Sequence, residues 1–365
     1  MNGRWGRGRS GRVWVAMLVT AASLANAQDA DFFPAPSRPA RKLAEELAAV
    51  YGQRLTQVAY IPALPLVAKL RLSEVTGIAR YRDEVDQLVE GFLRGERDHV
   101  PANGSEQAGA LLFAELAARS QGAARQRWIA LCRTAADQAF DERGQLAVPM
   151  RFHNDMSDAL FMATPILAAT GKLTGERRYF DAAVAHVVAM RQRCRRADGL
   201  YRHWPGCEAA WGRGNGFPAL GLAWALSHFP EDHPGRNELL AALTEHLAAL
   251  RPHQDGESGC WRQVIDHPES YPEYSCTAMI GTAMLWAVQR GWVPRETYEP
   301  HIERAWQAIV QRTSPDGRLV KVCVSTGKLP TVEAYVERPS TTGRDDRGGA
   351  MGLLFAVERL AAGLD

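Results

Sequence analysis

Two stretches hold residue types that can do chemistry. The first reads His153-Asn154-Asp155-Met156-Ser157-Asp158 and runs straight into an apolar segment. At helical spacing Asp158 shares a stripe with Met162 and Pro165, which sets one carboxyl on a mostly apolar face. Desolvation there favours the protonated form that a general acid needs. The same position also suits a helix N-terminus, where Ser157 or Asp158 would hold free backbone N–H groups. The second stretch holds Tyr201, His203 and Trp204, then Trp211-Gly212-Arg213-Gly214-Asn215-Gly216-Phe217. Trp211 offers a stacking face, and Arg213 offers a two-pronged donor for a carboxylate. Asn215 suits an N-cap, with Pro218 tolerated in the first turn after it, and three glycines allow a close backbone approach. Equally, Trp211 fills core and Arg213 pairs with a neighbouring acid.

Other chemistries lack their residues. No H-E-x-x-H, phosphate-binding G-x-x-x-x-G-K-[ST] or G-x-S-x-G elbow occurs, and the glycine run lacks the strand and spacing of a dinucleotide fingerprint. The ten His fall at no metal-ligand spacing, so neither a metal nor another cofactor is expected. Six Cys form no C-x-x-C pair; Cys194 and Cys207 could bridge one connection, but most read as buried free thiols. Lys and Arg number 43 against 41 acidic residues. Four of those Arg lie in residues 1–27, which hold no acid, so the remainder is slightly acidic. That balance argues against non-specific nucleic-acid binding, which needs a basic stripe.

Residues 1–27 read as an export signal. Arg4 to Arg12 are basic, residues 13–24 are an apolar run of twelve, and Ala25-Asn26-Ala27 is a small-x-small cleavage site before Gln28. Twelve apolar residues are too few for a membrane span, and no later run is long enough. The expectation is an exported, periplasmic or secreted chain, cleaved near Ala27.

The elements that must position the two stretches come as a repeat. An acidic or polar turn with Gly recurs at Gly144, Gly199, Gly256 and Gly317, each followed by a short extended piece. Helical periodicity precedes the turns at 179–195 and 237–250 and follows them at 159–170, 217–229 and 276–289; residues 319–324 make the best strand. This spacing predicts stacked helix pairs over residues 28–365, about twelve helices in one domain. Six hairpins either close into an (α/α)6 toroid or stay open as a solenoid. Polar and aromatic residues gathered in the loops favour closure around a cavity mouth, so the expected fold is an all-α (α/α)6 toroid.

A run from Asp158 to Leu167, then Thr170-Gly171-Lys172-Leu173-Thr174-Gly175 and on to Phe180, resembles the unsaturated rhamnogalacturonyl hydrolases of glycoside hydrolase family 105. More distantly it is similar to the unsaturated glucuronyl hydrolases. The family order continues through 199–203, 211–216, 266–273, 322–327 and Arg338-Pro339. The resemblance implies an (α/α)6 barrel that removes a 4,5-unsaturated uronic acid from the non-reducing end of lyase-generated oligosaccharides. It implies Asp158 as the acid/base that protonates C4 and directs water to C5. It implies His203, Trp211, Arg213 and Asn215 as substrate-binding residues, with Arg213 at the sugar carboxylate. This chain departs from the pattern at Met156, Phe217, 144–149 and Arg347, and in place of a second acid offers only Glu106. Two readings stand beside this one. One is another (α/α)6 carbohydrate enzyme, a lyase or epimerase, with Tyr271 or Tyr274 available as a lyase base. The other is a sugar-binding protein.

Overall fold

Segments apolar on every side become helices buried on every side, and segments with one apolar stripe become helices that cover them. The computed structural model describes residues 1–3, 33, 38–153 and 155–365; residues 4–27 of the expected signal segment and its cleavage point lie outside them. In chain order the helices are α1 (Ala40–Val50), α2 (Tyr60–Thr76), α3 (Arg80–Leu93), α4 (Gly104–Gly109), α5 (Leu111–Ala118) and α6 (Gly122–Ala136). Then come α7 (Ala159–Met162), α8 (Thr164–Thr174), α9 (Arg177–Cys194), α10 (Gly212–Leu226) and α11 (Arg236–Leu250). After the short strands β1 (Trp261–Arg262) and β2 (Pro272–Glu273) follow α12 (Tyr274–Gln289) and α13 (Arg295–Gln311). The chain ends with β3 (Leu319–Cys323), α14 (Val332–Val336), β4 (Ser340–Gly343) and α15 (Asp346–Ala361).

Every residue of α10 is buried, as is nearly every residue of α12. These two pack side by side in an inner ring that continues through α15, α2, α4–α5 and α7–α8 and back to α10. The contact of α15 with α2 closes it. Outside lie α1, α3, α6, α9, α11 and α13, each against an inner neighbour. The (α/α)6 toroid is therefore the fold, closed and not an open solenoid. The two strand pairs, β1–β2 and β3–β4, are antiparallel ribbons in the loops.

Three of the four turn glycines sit in the left-handed region, Gly144, Gly199 and Gly317 at φ of 73°, 88° and 78°, where other residues are strained. Each closes a turn tied by two backbone bonds, such as Asp141 N–H to Gln145 O with Gly144 N–H to Asp141 O, and Ser314 N–H to Arg318 O with Gly317 N–H to Ser314 O. In the remaining turn the left-handed residue is Gly259 (φ 71°), not Gly256. One inserted residue is the reason: Asp255 N–H reaches Cys260 O, and the Asp255 side chain caps Ser258 N–H at 2.7 Å. The helix expected over 159–170 is split at Ala163, because Pro165 has no N–H to continue the ladder. All six Cys are buried and free, so no Cys194–Cys207 bridge forms.

Burial also sets a pH dependence. Desolvation pushes His153 down to about 3 and His186 and His246 to about 4. The unfolded chain therefore takes up protons that the folded chain refuses. Stability is full above the ordinary histidine range near 6.5 and falls as pH drops toward 4, with a slope of roughly 1.4 kcal/mol per pH unit for each such histidine. Urea midpoints measured from pH 7 to pH 4.5 should fall steadily; a flat profile means these rings ionise in place.

Candidate active site

Asp158 is placed by its neighbour. Ser157 Oγ–H donates to Gly214 O at 2.7 Å, and Ser157 N–H donates to His203 O at 2.9 Å. The Gly214 carbonyl is open because its helical partner four residues on is Pro218, which has no N–H. The proline in α10 thus frees the acceptor that anchors the α7 entry. Ser157→Ala leaves that buried carbonyl without its donor and should cost about 1–3 kcal/mol, read as a lowered urea midpoint. The Asp158 side chain makes no cap hydrogen bond, so the helix-cap alternative is corrected: the residue already has helical dihedrals (φ −52°, ψ −29°) and cannot turn its carboxylate back on the first N–H groups. The side chain is 16% exposed, and Oδ1 is buried without a hydrogen-bond partner. It lies 3.4 Å from His203 Nε2.

His203 is fully buried and held on several sides. Its backbone N–H donates to Ala209 O at 3.1 Å, and its ring lies 4.5 Å from the Trp211 ring at a tilt of 53°. Its Nδ1 stands 2.6 Å from the Tyr335 hydroxyl. Trp211 is buried at the N-terminus of α10 and belongs to a small apolar cluster with Cys207, Val264, Cys323 and Tyr335. Its indole N–H is buried without a partner.

Arg213 differs from its expected role. It is 2% exposed, and its fork is spent on backbone: Nη1 donates to Cys323 O at 2.8 Å and Nη2 to Val324 O at 2.9 Å. Nη1 also reaches Ser275 Oγ at 3.3 Å, and the guanidinium lies 4.9 Å from the Trp211 ring centre. A free two-pronged donor is therefore corrected to a clamp on the strand leaving β3. The acid that balances it is Glu273, fully buried at the N-terminus of α12, which accepts from Ser275 N–H, Cys276 N–H and Cys323 N–H at 3.0, 2.6 and 2.9 Å. Glu273 and Arg213 thus hold the two ends of residue 323. Burial pulls the Arg213 guanidinium down, but the acidic groups around it, the carboxylates of Glu273 and Asp158 and the Cys323 and Tyr60 side chains where they ionise, outweigh it and hold it up. Asn215 is likewise not an N-cap; Trp211 holds that place, with no side-chain cap bond. The Asn215 amide brackets Tyr201, accepting from its N–H and donating to its C=O, both at 2.8 Å. Of the three glycines, Gly212 makes the closest approach, and to the protein itself: a Cβ there would lie 2.4 Å from Arg262 O.

A family model described as Glycosyl Hydrolase Family 88 matches residues 49–362. The chain belongs to that family. Among curated proteins it is 30% identical over 183 residues to an unsaturated 3S-rhamnoglycuronyl hydrolase of Formosa agariphila, covering 44% of this chain and 48% of that one. It is 33% identical over 129 residues to the unsaturated rhamnogalacturonyl hydrolase YesR of Bacillus subtilis, covering 35% of each. The matches thus span half or less of those relatives. A solved structure of a possible GH105 member from Salmonella enterica superposes with a TM-score of 0.74 at 24% identity, covering 88% of this chain and 94% of that one. The unsaturated glucuronyl hydrolase of Bacillus sp. GL1 gives 0.63 at 17%, covering 89% and 96%. At these identities the structures speak for the fold, and the resemblance read from the motifs holds. The family 88 match also takes in residues 49–149, where the motifs match only loosely.

Several other residues of this family 88 chain are engaged elsewhere. Glu106 forms a reciprocal capping box with Asn103, receiving Ala102 N–H at 2.8 Å and amides from Asn103 and Gln57. The Ala102 bond above all holds its carboxyl below the usual range. It adjoins a cleft of about 910 Å³ lined by Arg54, Gln57, Asn103, Ser105 and Asp346. Asp155 pairs with Lys328, and Arg347 with Asp345 at 2.9 Å. Tyr274 is buried against Thr313 Oγ1 at 2.8 Å, which removes it as a lyase base. Among the described residues no three His, Cys, Asp or Glu are grouped to hold a metal ion, and no helix is long and apolar enough to cross a membrane.

Proposed function

We propose that this chain removes a 4,5-unsaturated uronic acid from the non-reducing end of lyase-generated oligosaccharides by hydrating its C4=C5 bond. The observation that carries the reading is the Asp158 carboxyl, with one buried and unpartnered oxygen 3.4 Å from His203 Nε2. The substrates in the names of the curated relatives support it. Asp158 delivers its proton to C4, and the resulting carboxylate takes a proton from the water that adds at C5. The hemiketal so formed opens and expels the remaining sugar. One carboxyl serves both steps, so the two-carboxylate spacing of ordinary glycosidases does not apply.

His203, fully buried, acts on the sugar only through Asp158, and Trp211 packs against the His203 ring. Arg213 contributes positive potential toward the uronate carboxylate while its two Nη atoms stay on backbone. Asn215 acts on substrate only through the backbone of Tyr201 and Trp211. Lyase-cut oligosaccharides tend to be external substrates, and export with loss of residues 1–27 suits that setting. The test is to incubate the protein with lyase-digested pectin, glycosaminoglycan or ulvan fragments and follow the double-bond absorbance. A fall supports the reading. A rise on intact polymer means a lyase, and no change with retained binding means a sugar-binding protein.

A further inference from the structure

The contact between Asp158 and His203 continues into residues 329–335. The Tyr335 hydroxyl stands 2.6 Å from His203 Nδ1, and the same oxygen accepts the Leu329 N–H at 3.1 Å. Leu329 is fixed at its other end too, since Trp204 Nε1–H donates to its carbonyl at 3.0 Å. A phenol has one proton to donate. With Leu329 directed at the oxygen's lone pair, that proton has His203 Nδ1 as its acceptor.

We propose that Tyr335 is a positioning residue for the reaction: it donates its O–H to His203 Nδ1 and so fixes the ring proton on Nε2, facing Asp158 Oδ1. The inference rests on the reading of Asp158 as the acid/base. Burial raises the Tyr335 phenol, which keeps it a donor. The ring has little freedom to answer otherwise, being set between Trp211 at 4.5 Å and Tyr335 at 5.6 Å. With the proton on Nε2, the N–H attracts Oδ1 across 3.4 Å without forming a hydrogen bond in this structure, and the proton that Asp158 delivers sits on Oδ2. With the proton on Nδ1, a nitrogen lone pair would face a carboxylate oxygen and repel it, and the Tyr335 proton would lose its acceptor. The tyrosine thus selects the attractive arrangement and decides which carboxyl oxygen addresses the sugar.

The test needs no substrate. Nitrogen-15 NMR of the wild-type protein at neutral pH, with the His203 signals assigned by their loss in His203→Gln, should show the Nε2–H tautomer. An Nδ1–H tautomer or an imidazolium overturns the proposal, whatever the hydrolysis assay gives. Tyr335→Phe keeps the ring in its apolar cluster and removes only the hydroxyl. It should shift His203 away from the pure Nε2–H form and lower kcat at least about tenfold with KM within about twofold, as loss of the correct tautomer does in other enzymes. A folded Tyr335→Phe that keeps both the Nε2–H signature and its kcat overturns the proposal as well. Should that variant fail to fold, the wild-type spectrum still decides.

Discussion

Asp158→Asn should leave substrate binding largely intact and lower kcat by a factor on the order of 10²–10⁴, the usual share of a general acid–base group. The amide keeps the size of the carboxyl, and its oxygen can still face His203 Nε2. What it cannot do is give a proton to C4 and take one back from water. The native side chain makes no cap bond, and among the described residues its one ion-pair contact is His203, so the substitution should cost little stability. Loss of turnover then cannot be blamed on unfolding. Steady-state rates on lyase-cut oligosaccharide, with calorimetric binding of the same substrate to the variant, separate the two effects. A variant that retains more than about a tenth of wild-type kcat places the acid elsewhere. The nearest alternatives are weak: Glu106 is committed to its capping box and Asp155 to Lys328.

The toroid was legible because its signals are local. Gly144, Gly199 and Gly317 must be glycines to turn the chain, and α9 and α11 show their stripes within a single segment. The third turn misled because one extra residue shifts the left-handed position from Gly256 to Gly259 without changing the local composition. Asp158 stands out in the sequence as a polar group opening an apolar segment and His203 as a ring in a polar and aromatic loop, and the fold brings them to 3.4 Å. Tyr335 does not stand out: it lies 132 residues from His203 in the chain, on a five-residue helix with no motif around it. Glu273 lay within a stretch that fitted the family order, yet nothing in its spacing said that its carboxylate would be fully buried and receive three backbone N–H groups. Long-range partners of this kind are set by ring closure, which brings residues 273 and 323 beside 213, and periodicity carries no information about that.

Arg213 shows the same limit and yields the other large expected effect. From the loop sequence alone, Arg213→Ala is a loss of substrate affinity; the buried geometry makes it a loss of stability first. The guanidinium is the charged donor to Cys323 O and Val324 O, while Glu273 holds Cys323 N–H from the other side. Removing it strands the Cys323 carbonyl inside the protein, at about 1–3 kcal/mol, while Val324 O keeps the Thr326 hydroxyl at 2.9 Å. It also leaves the Glu273 charge with less to balance it. Urea unfolding of Arg213→Ala should show that loss directly. Arg213→Lys restores a charge but only one donor point, which cannot reach both carbonyls in the plane of a fork, so it should recover part of the stability. Activity, assayed well below each variant's melting temperature, should follow a different order. If the positive potential serves the uronate carboxylate, Lys should recover a larger share of kcat/KM than of stability. If Lys recovers neither, what matters to turnover is the path of the chain after β3. An Ala variant as stable as wild type would show that Glu273 alone holds residue 323 in place.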